Sequence, residues 1–310
     1  MRNLTSLILI FCLLFAFDAK ANSVTYDRKL NFGKLVPTAA SGSLTINTAG
    51  ATTSSSGVQI IQSGTSAMFD YEASGLLAII SLAPSITVLQ SSVVLTSSYS
   101  GAPNITINNF TTYLNAALLE INLPRVTISD MLLGGTVNFT GTPRGTYTGT
   151  VSVRVALTLG LLGATEGTIP IEVTFLKPLG IVETTQMKFG AINVTPSSAG
   201  AVRLTPTGVR TIVSGGGLSL ASNAGVPTAG SFSITGEGSQ TVNISLPSTT
   251  TLSNGSGGTV TLSNFSSSPS GSALLNSNGD LTLSVGADVN ISTGQQSGTY
   301  NGTYTIQVNY

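Results

Sequence analysis

The chain is a succession of short segments in which apolar and polar residues alternate, separated by turns rich in Gly, Ser, Asn and Pro. The final segment is the clearest, because Tyr304, Ile306, Val308 and Tyr310 alternate with polar residues. Such alternation predicts a half-buried strand, since successive side chains of a strand point to opposite faces of the sheet. Past the first twenty residues no segment keeps a helical period over three turns. We therefore predict an all-β protein.

The alternating pattern occurs twice in related form. Gly145–Val155 shares Gly, Thr, Tyr, Gly, Thr and the final Val with Gly298–Val308, in register. Three earlier segments match in the same order, namely Phe32-Gly33 with Phe189-Gly190, Ser41–Asn47 with Ala199–Thr205, and Gly134–Phe139 with Gly286–Ile291. Short strands about ten residues apart are typical of Greek-key sandwiches. The sequence predicts two tandem immunoglobulin-like β-sandwich domains, at 22–160 and 161–310.

The two copies differ in their first strands. Ile169–Phe175 alternates and is predicted to be an extra first strand of the second domain. The first domain has only Asn22–Leu30 for that role. An incomplete first strand would leave an apolar groove in the first domain, which a strand from another subunit could fill. Asn22–Leu30 is the candidate donor segment.

The N-terminus predicts a secretory signal peptide at 1–21. Arg2 supplies a positive charge, Leu4–Phe17 is apolar, and Ala19-Lys20-Ala21 is a small-x-small cleavage site. We expect an exported mature chain, in the periplasm, on the outer surface or outside the cell, without a transmembrane anchor. Cys12 lies within the leader, so mature protein would have no disulfide and would depend on core burial and sheet pairing.

The composition argues against catalysis and against nucleic-acid binding. The sequence has no His, only 8% charged residues and a formal net charge of zero. It therefore lacks the commonest general base and the usual zinc ligands, and it has no basic footprint for nucleic acid. We predict a protein that is not an enzyme and has no cofactor or metal site.

Four carboxylates and several glycosylation triplets are candidate sites. Asp70 and Glu72 share one strand face, which would suit a calcium ion or a glycosidase pair, but a solvated strand face is the favoured interpretation. Asp280 and Asp288 are interpreted in the same way. Asn-x-Ser/Thr triplets, expected by chance in this composition, begin at Asn104, Asn109, Asn138, Asn193, Asn243, Asn290 and Asn301.

The repeated aromatic and glycine residues are predicted to be structural. In Phe32-Gly33 and Phe189-Gly190 the ring is expected to anchor a core and the glycine to adopt an unusual φ. Tyr147 and Tyr300 are either exposed contact residues or tyrosine corners, whose hydroxyl bonds to backbone. Tyr310 ends an alternating strand, which could also present an edge for pairing.

Several of these segments together resemble a known family. They are Lys177–Ile181, Met187–Ile192, Ala199-Gly200, Gly208–Thr211, Gly286–Val289 and Gly298–Tyr310. They resemble the bacterial domain of unknown function numbered forty-four-oh-two over nearly all of 168–310, and the first domain resembles a diverged copy. The closing strand is similar to that of spore-coat-U-like proteins and, more distantly, of pilins assembled by chaperone and usher. The resemblance implies an immunoglobulin-like sandwich exported by a Gram-negative bacterium.

The leading hypothesis is a structural or adhesive surface protein, pilin-like in using β-strand addition, with itself or other surface subunits as partners. The alternative is a soluble module that binds glycan or a host protein through its loops. A carboxylate-dependent hydrolase using Asp70, Glu72, Asp280 or Asp288 is the third and least favoured hypothesis.

Overall fold

A computed structural model describes residues 22–74, 84–114, 119–122, 125–157, 164–221 and 225–310. Within these ranges the regular elements are all strands, which confirms the all-β prediction. The chain divides into two compact units, Met1–Lys177 and Pro178–Tyr310. The predicted signal peptide lies outside the described residues. No helix in the described ranges is long and apolar enough to cross a membrane.

The described part of the first unit contains thirteen strands. They are β1 (Ser23–Arg28), β2 (Leu30–Pro37), β3 (Ser41–Ile46), β4 (Thr52–Ser56), β5 (Val58–Gln62), β6 (Ala67–Ser74), β7 (Pro84–Val88), β8 (Ser92–Ser97), β9 (Ile105–Tyr113), β10 (Leu119–Asn122), β11 (Arg125–Thr140), β12 (Gly145–Leu157) and β13 (Thr165–Phe175).

These strands form the two layers of a β-sandwich. One layer runs β4-β3-β11-β9-β8, and the first half of β11 also pairs with β6 and β10. The other layer runs β5-β2-β13-β12-β7. Apolar side chains from both layers meet in one core, among them Phe69, Val137, Tyr147 and Phe175. Burial of these faces stabilises the unit by about 25 cal/mol for each Å² of apolar surface removed from water.

β13 completes the first unit, although the sequence assigned its apolar half to the second domain. It pairs antiparallel with β12 along its whole length and parallel with β2. Its four alternating apolar side chains are at most 1% exposed, namely Ile169, Ile171, Val173 and Phe175. The division between the compact units therefore falls after Lys177 rather than after residue 160. β13 also fills the position of the groove predicted in the first domain.

The predicted donor segment, Asn22–Leu30, is already paired within the first unit. β1 pairs antiparallel with β6, and Val24 packs against the core. Leu30 is fully buried and lies opposite Ile171 in the parallel pairing of β2 with β13. This segment is therefore part of the first sandwich, and the structure does not support its assignment as a donor strand.

The described part of the second unit contains twelve strands. They are β14 (Gly180–Thr185), β15 (Ile192–Val194), β16 (Gly200–Leu204), β17 (Arg210–Ser214), β18 (Leu218–Leu220), β19 (Gly230–Thr235), β20 (Thr241–Ser245), β21 (Thr249–Ser253), β22 (Thr259–Ser268), β23 (Ser272–Leu274), β24 (Asp280–Ile291) and β25 (Gln307–Asn309).

The second unit has one large sheet and two small ones. The large sheet runs β14-β19-β24-β16-β17, and β22 and β21 extend it from β24. The small sheets are β15-β18 and β23-β20-β25. Buried apolar residues form two clusters, one around Val202 and Val289 and the other around Ile234 and Leu283.

The repeat seen in the sequence extends to the register of the strands. In the first unit Gly42 lies opposite Phe139, and in the second the matching Gly200 lies opposite the matching Ile291. The two glycines are required for close packing, because a Cβ on Gly42 would lie 2.4 Å from the carbonyl oxygen of Ser56. The two units are therefore copies of one β-sandwich domain at the level of strand pairing.

We expect Ile171→Ala to lower the free energy of unfolding of the first unit by about 2–5 kcal/mol, because it leaves a cavity in a fully buried site. Thr168→Ala, on the exposed face of the same strand, is the matched control and should change stability little. Differential scanning calorimetry of the mature chain resolves the first unit's transition. If Ile171→Ala changed only the unfolding transition of the second unit, the assignment of β13 to the first unit would be contradicted.

Candidate functional site

Asp70 and Glu72 lie side by side on the outward face of β6, as their spacing predicts. Asp70 Oδ1 accepts a hydrogen bond from the Asp130 backbone N–H at 2.9 Å. Burial raises the pKa of Asp70, with the neighbouring carboxylates of Asp27 and Asp130 acting in the same direction. Glu72 forms an ion pair of 3.2 Å with Arg125. These contacts tie both carboxylates to the sheet surface.

Asp288 is a structural carboxylate. Its side chain is only 3% exposed, and its two oxygens accept hydrogen bonds from Arg203 at 2.7 and 2.8 Å. Asn264 Nδ2 donates a third bond at 3.0 Å. Hydrogen bonding to Arg203 lowers the pKa of Asp288 below its ordinary value. Asp280, by contrast, is exposed at the start of β24.

The four carboxylates proposed for a hydrolase are thus distributed over two units and several environments. Asp288 is held by a bidentate ion pair with Arg203, which favours its charged form and gives it a structural role. Within the described ranges no group of three or more His, Cys, Asp or Glu residues could hold a metal ion.

The motif residues of the first unit lie in its core and at its turns. Phe32 is fully buried and Gly33 has a φ of +82°. Gly145 opens β12 with a φ of +84°, a conformation that L side chains rarely adopt. Tyr147 is also fully buried, and its hydroxyl donates to the carbonyl oxygen of Pro103 at 2.8 Å.

The corresponding residues of the second unit are less deeply buried. Phe189 packs against the core from a partly exposed position, and Gly190 has a φ of +67°. Gly298 has a φ of +146°. The Tyr300 hydroxyl donates to the carbonyl oxygen of Gln296 at 2.7 Å, as the tyrosine-corner alternative would require. The Tyr310 hydroxyl accepts from the Glu237 backbone N–H at 2.7 Å.

Arg210 organises the start of the second unit, a role that the sequence did not indicate. Its Nη1 donates to the carbonyl oxygens of Phe189 and Ala191, and its Nη2 donates to that of Ala221 at 2.9 Å. A Cβ on Gly190 would lie 2.9 Å from Arg210 Nη1, so the glycine makes room for the guanidinium. The one signal in the sequence that could have drawn attention to this arginine is that Gly208–Thr211 is among the segments that resemble the family.

The closing strands of the two units differ most in what covers them. In the first unit Tyr147, Val151, Val153 and Val155 are all fully buried in the core between the two layers, and β13 pairs with the edge of their strand. Their counterparts in the second unit are all partly exposed, namely Tyr300, Tyr304, Ile306 and Val308. The same alternating face is therefore sealed in one copy and incompletely covered in the other.

The backbone of the second closing strand is also incompletely paired. β25 pairs with β20 through Gln307–Asn309, and no other described strand pairs with it. Ahead of it, Asn301 makes an isolated bridge to Ser253. In the first unit the matching segment is paired with β13 from Gly145 to Val155. An open strand edge beside partly exposed apolar side chains is a site for an additional strand.

Tyr304 lies on this strand and packs against the cluster around Ile234 and Leu283. Its hydroxyl is buried and has no hydrogen-bond partner among the described residues. Burial, with a smaller contribution from the Glu183 carboxylate, raises the pKa of Tyr304 to about 12. The ring makes edge and tilted contacts with Phe232 and Phe265. The sequence identified Tyr304 and Tyr310 as one face of a terminal strand, but it did not show that this strand has a neighbour on only one side among the described strands.

Comparison with known proteins gives a family and a distant structural likeness. The family model described as a domain of unknown function (DUF4402) matches residues 23–157 and 179–310. No curated protein matches the chain. A similar solved structure is the CsuC-CsuE chaperone-tip adhesion subunit pre-assembly complex from archaic chaperone-usher Csu pili of Acinetobacter baumannii, 12% identical, with a TM-score of 0.30. That match covers 94% of this chain and 100% of that chain.

Asp288→Asn should destabilise the second unit by about 1–3 kcal/mol at pH 7, because the buried carboxylate loses its charge-assisted hydrogen bonds from the half-exposed Arg203. Since folding lowers the pKa of Asp288, its contribution is present above the unfolded value of 3.8 and disappears as the pH falls through the folded value. The difference from wild type should therefore shrink between pH 5 and pH 2.

Chemical denaturation at a series of pH values measures this difference. Asp280→Asn, at an exposed position on the same strand, is the control and should have little effect at any pH. A pH-independent loss of stability in Asp288→Asn would show that the ion pair does not act through the carboxylate charge.

Proposed function

The chain belongs to the DUF4402 family and contains two domains that match the family model, and we propose that it is a non-enzymatic, exported structural protein of a bacterial surface. In this proposal the second unit accepts a β-strand from another subunit along Gly298–Val308. The single observation that carries the proposal is that the closing strand is sealed by β13 in the first copy and open in the second.

The boundaries of the family domain support this assignment. In the first copy the match ends at residue 157, before β13 begins at Thr165. The strand that seals the first sandwich therefore lies outside the repeated domain. A domain defined in this way exposes one edge of its closing strand and needs a strand from elsewhere to cover it.

β13 indicates how the incoming strand would bind. It pairs antiparallel with β12, with Ile169 opposite Val151, Ile171 opposite Gly149 and Val173 opposite Tyr147. Transferred to the matching positions of the second copy, these aliphatic side chains would lie opposite Tyr304, Gly302 and Tyr300. The expected ligand is therefore an extended segment with aliphatic residues at alternate positions. Main-chain hydrogen bonds would supply affinity and the alternate side chains specificity.

Export and a non-catalytic role are supported by the sequence. The leader-like 1–21 segment favours passage across the inner membrane. The absence of His from the sequence and the structural role of Asp288 leave little for acid–base chemistry. The partners proposed are a second copy or other surface subunits.

A peptide with the sequence of β13, Thr165–Phe175, should bind to the mature chain and slow amide exchange within Gly298–Tyr310, because it offers a strand for the edge that no described strand of the second copy covers. Fluorescence anisotropy gives the affinity, and hydrogen–deuterium exchange locates the binding. Ile306→Asp should weaken binding at least tenfold, ~1.4 kcal/mol, by placing a charge on the accepting strand where it packs against the Ile234 cluster, and circular dichroism checks that this variant stays folded.

Val182→Asp is the matched control, since Val182 is 65% exposed on β14 and should tolerate a charge. A peptide carrying Ile171→Asp tests the ligand side. Equal binding of both peptides, or protection confined to the first unit, would contradict the proposed acceptor site.

A further inference from the structure

The outward face of one sheet in the first unit is a regular array of uncharged side chains, all of them polar except Val94. It belongs to strands β4, β3, β11, β9 and β8, whose inward residues form the core. We call this array the hydroxyl face, and it comprises Ser54, Thr45, Thr136, Asn108 and Ser92 in one row and Ser56, Ser43, Asn138, Thr106 and Val94 in the next.

The rows are set by strand pairing and held by hydrogen bonds. Ser54 Oγ donates to Thr45 Oγ1 at 3.0 Å, and the Thr45 and Thr136 hydroxyls lie 2.9 Å apart. In the centre Asn138 Nδ2 donates to Asn108 Oδ1 at 2.9 Å. Neighbouring side chains in a row are separated by one strand spacing, about 4.8 Å. Thr136 is only 7% exposed and acts by holding Thr45 in place. The more exposed groups of the rows are therefore pre-organised, which lowers the entropy cost of binding a polar ligand.

The hydroxyl face carries no Asp, Glu, Lys or Arg. The matching positions of the second copy make the contrast clear, because Arg203 and Asp288 stand where the first copy has Thr45 and Thr136. The first copy thus has a pair of hydroxyls at the position of an ion pair. An uncharged surface of this kind is complementary to a neutral ligand rather than to an ion.

An exposed aromatic ring extends the same face. Tyr113 is 50% exposed on β9, opposite Leu132, and Thr111 lies two residues before it on the same side, opposite Gly134. Because Gly134 has no side chain, the Thr111 hydroxyl is left uncovered on that side. Tyr113 therefore adds an apolar platform to rows of donors and acceptors, the combination that polar ligands with apolar faces require.

We propose that the hydroxyl face and Tyr113 form a binding site for a neutral, equatorially linked glycan. Sugar rings have apolar C–H faces that can pack on the Tyr113 ring, and hydroxyls that match Thr, Ser and Asn side chains. One residue of an extended, equatorially linked glycan is close in length to one strand spacing. A glycan that lies across the strands thus places the hydroxyls of one sugar residue over each strand. This site lies entirely within the first unit and does not depend on strand acceptance by the second.

Isothermal titration calorimetry of the mature chain with cellohexaose and mannohexaose, both equatorially linked and neutral, tests the proposal. Tyr113→Ala should weaken binding about tenfold, the equivalent of one aromatic contact. Thr106→Lys, which introduces a bulky charge on the face without touching the core, should abolish it. Tyr26→Ala is the matched control, since Tyr26 is 53% exposed on β1, outside the face, and should bind as wild type.

Each remaining outcome would overturn the proposal. The site is wrong if wild type binds neither oligosaccharide, or if Tyr113→Ala and Thr106→Lys both retain full affinity. Equal affinity for the axially linked maltohexaose would contradict the argument from strand spacing. Circular dichroism of each variant separates loss of the ligand from loss of the fold.

Discussion

The fold depends on covering one alternating strand on both its face and its edge. A closing strand with apolar residues at every second position is stable only when those side chains are buried and its backbone groups are paired. In the first unit β13 pairs with the edge, and the opposite layer covers the face, where Tyr147, Val151 and Val153 are fully buried. In the second unit the same strand has a neighbour on one side among the described strands.

The two copies preserve strand register while changing the chemistry of matched positions. Thr45 and Thr136 share a hydroxyl contact where Arg203 and Asp288 share a bidentate ion pair. Either pair satisfies polar groups across neighbouring strands, so the sheet tolerates the exchange. What changes is the surface, which is neutral and rich in hydroxyls in one copy and charged in the other. Divergence of this kind gives one fold two surfaces of different charge.

The proposed roles divide between the copies for the same reason. A self-complete sandwich needs nothing from a partner, so its outward sheet face is available for a ligand. A sandwich with an open edge gains stability from any strand that covers Ile306 and its neighbours, and this gain can drive assembly. On these proposals the chain combines an attachment surface and an assembly site in two versions of one domain.

The sequence alone determined the strands, the repeat and the two sandwiches, because period-two alternation and turn residues are local signals. It also identified the terminal face of Tyr304 and Tyr310. It could not assign Ile169–Phe175 to the first copy, since alternation is the same whichever strand lies alongside. Nor could it show that Arg210 binds the carbonyl oxygens of Phe189, Ala191 and Ala221, or that the side chains of the hydroxyl face align in rows. Pairing joins residues far apart in the chain, and only the tertiary structure decides which edge is filled and which stays open.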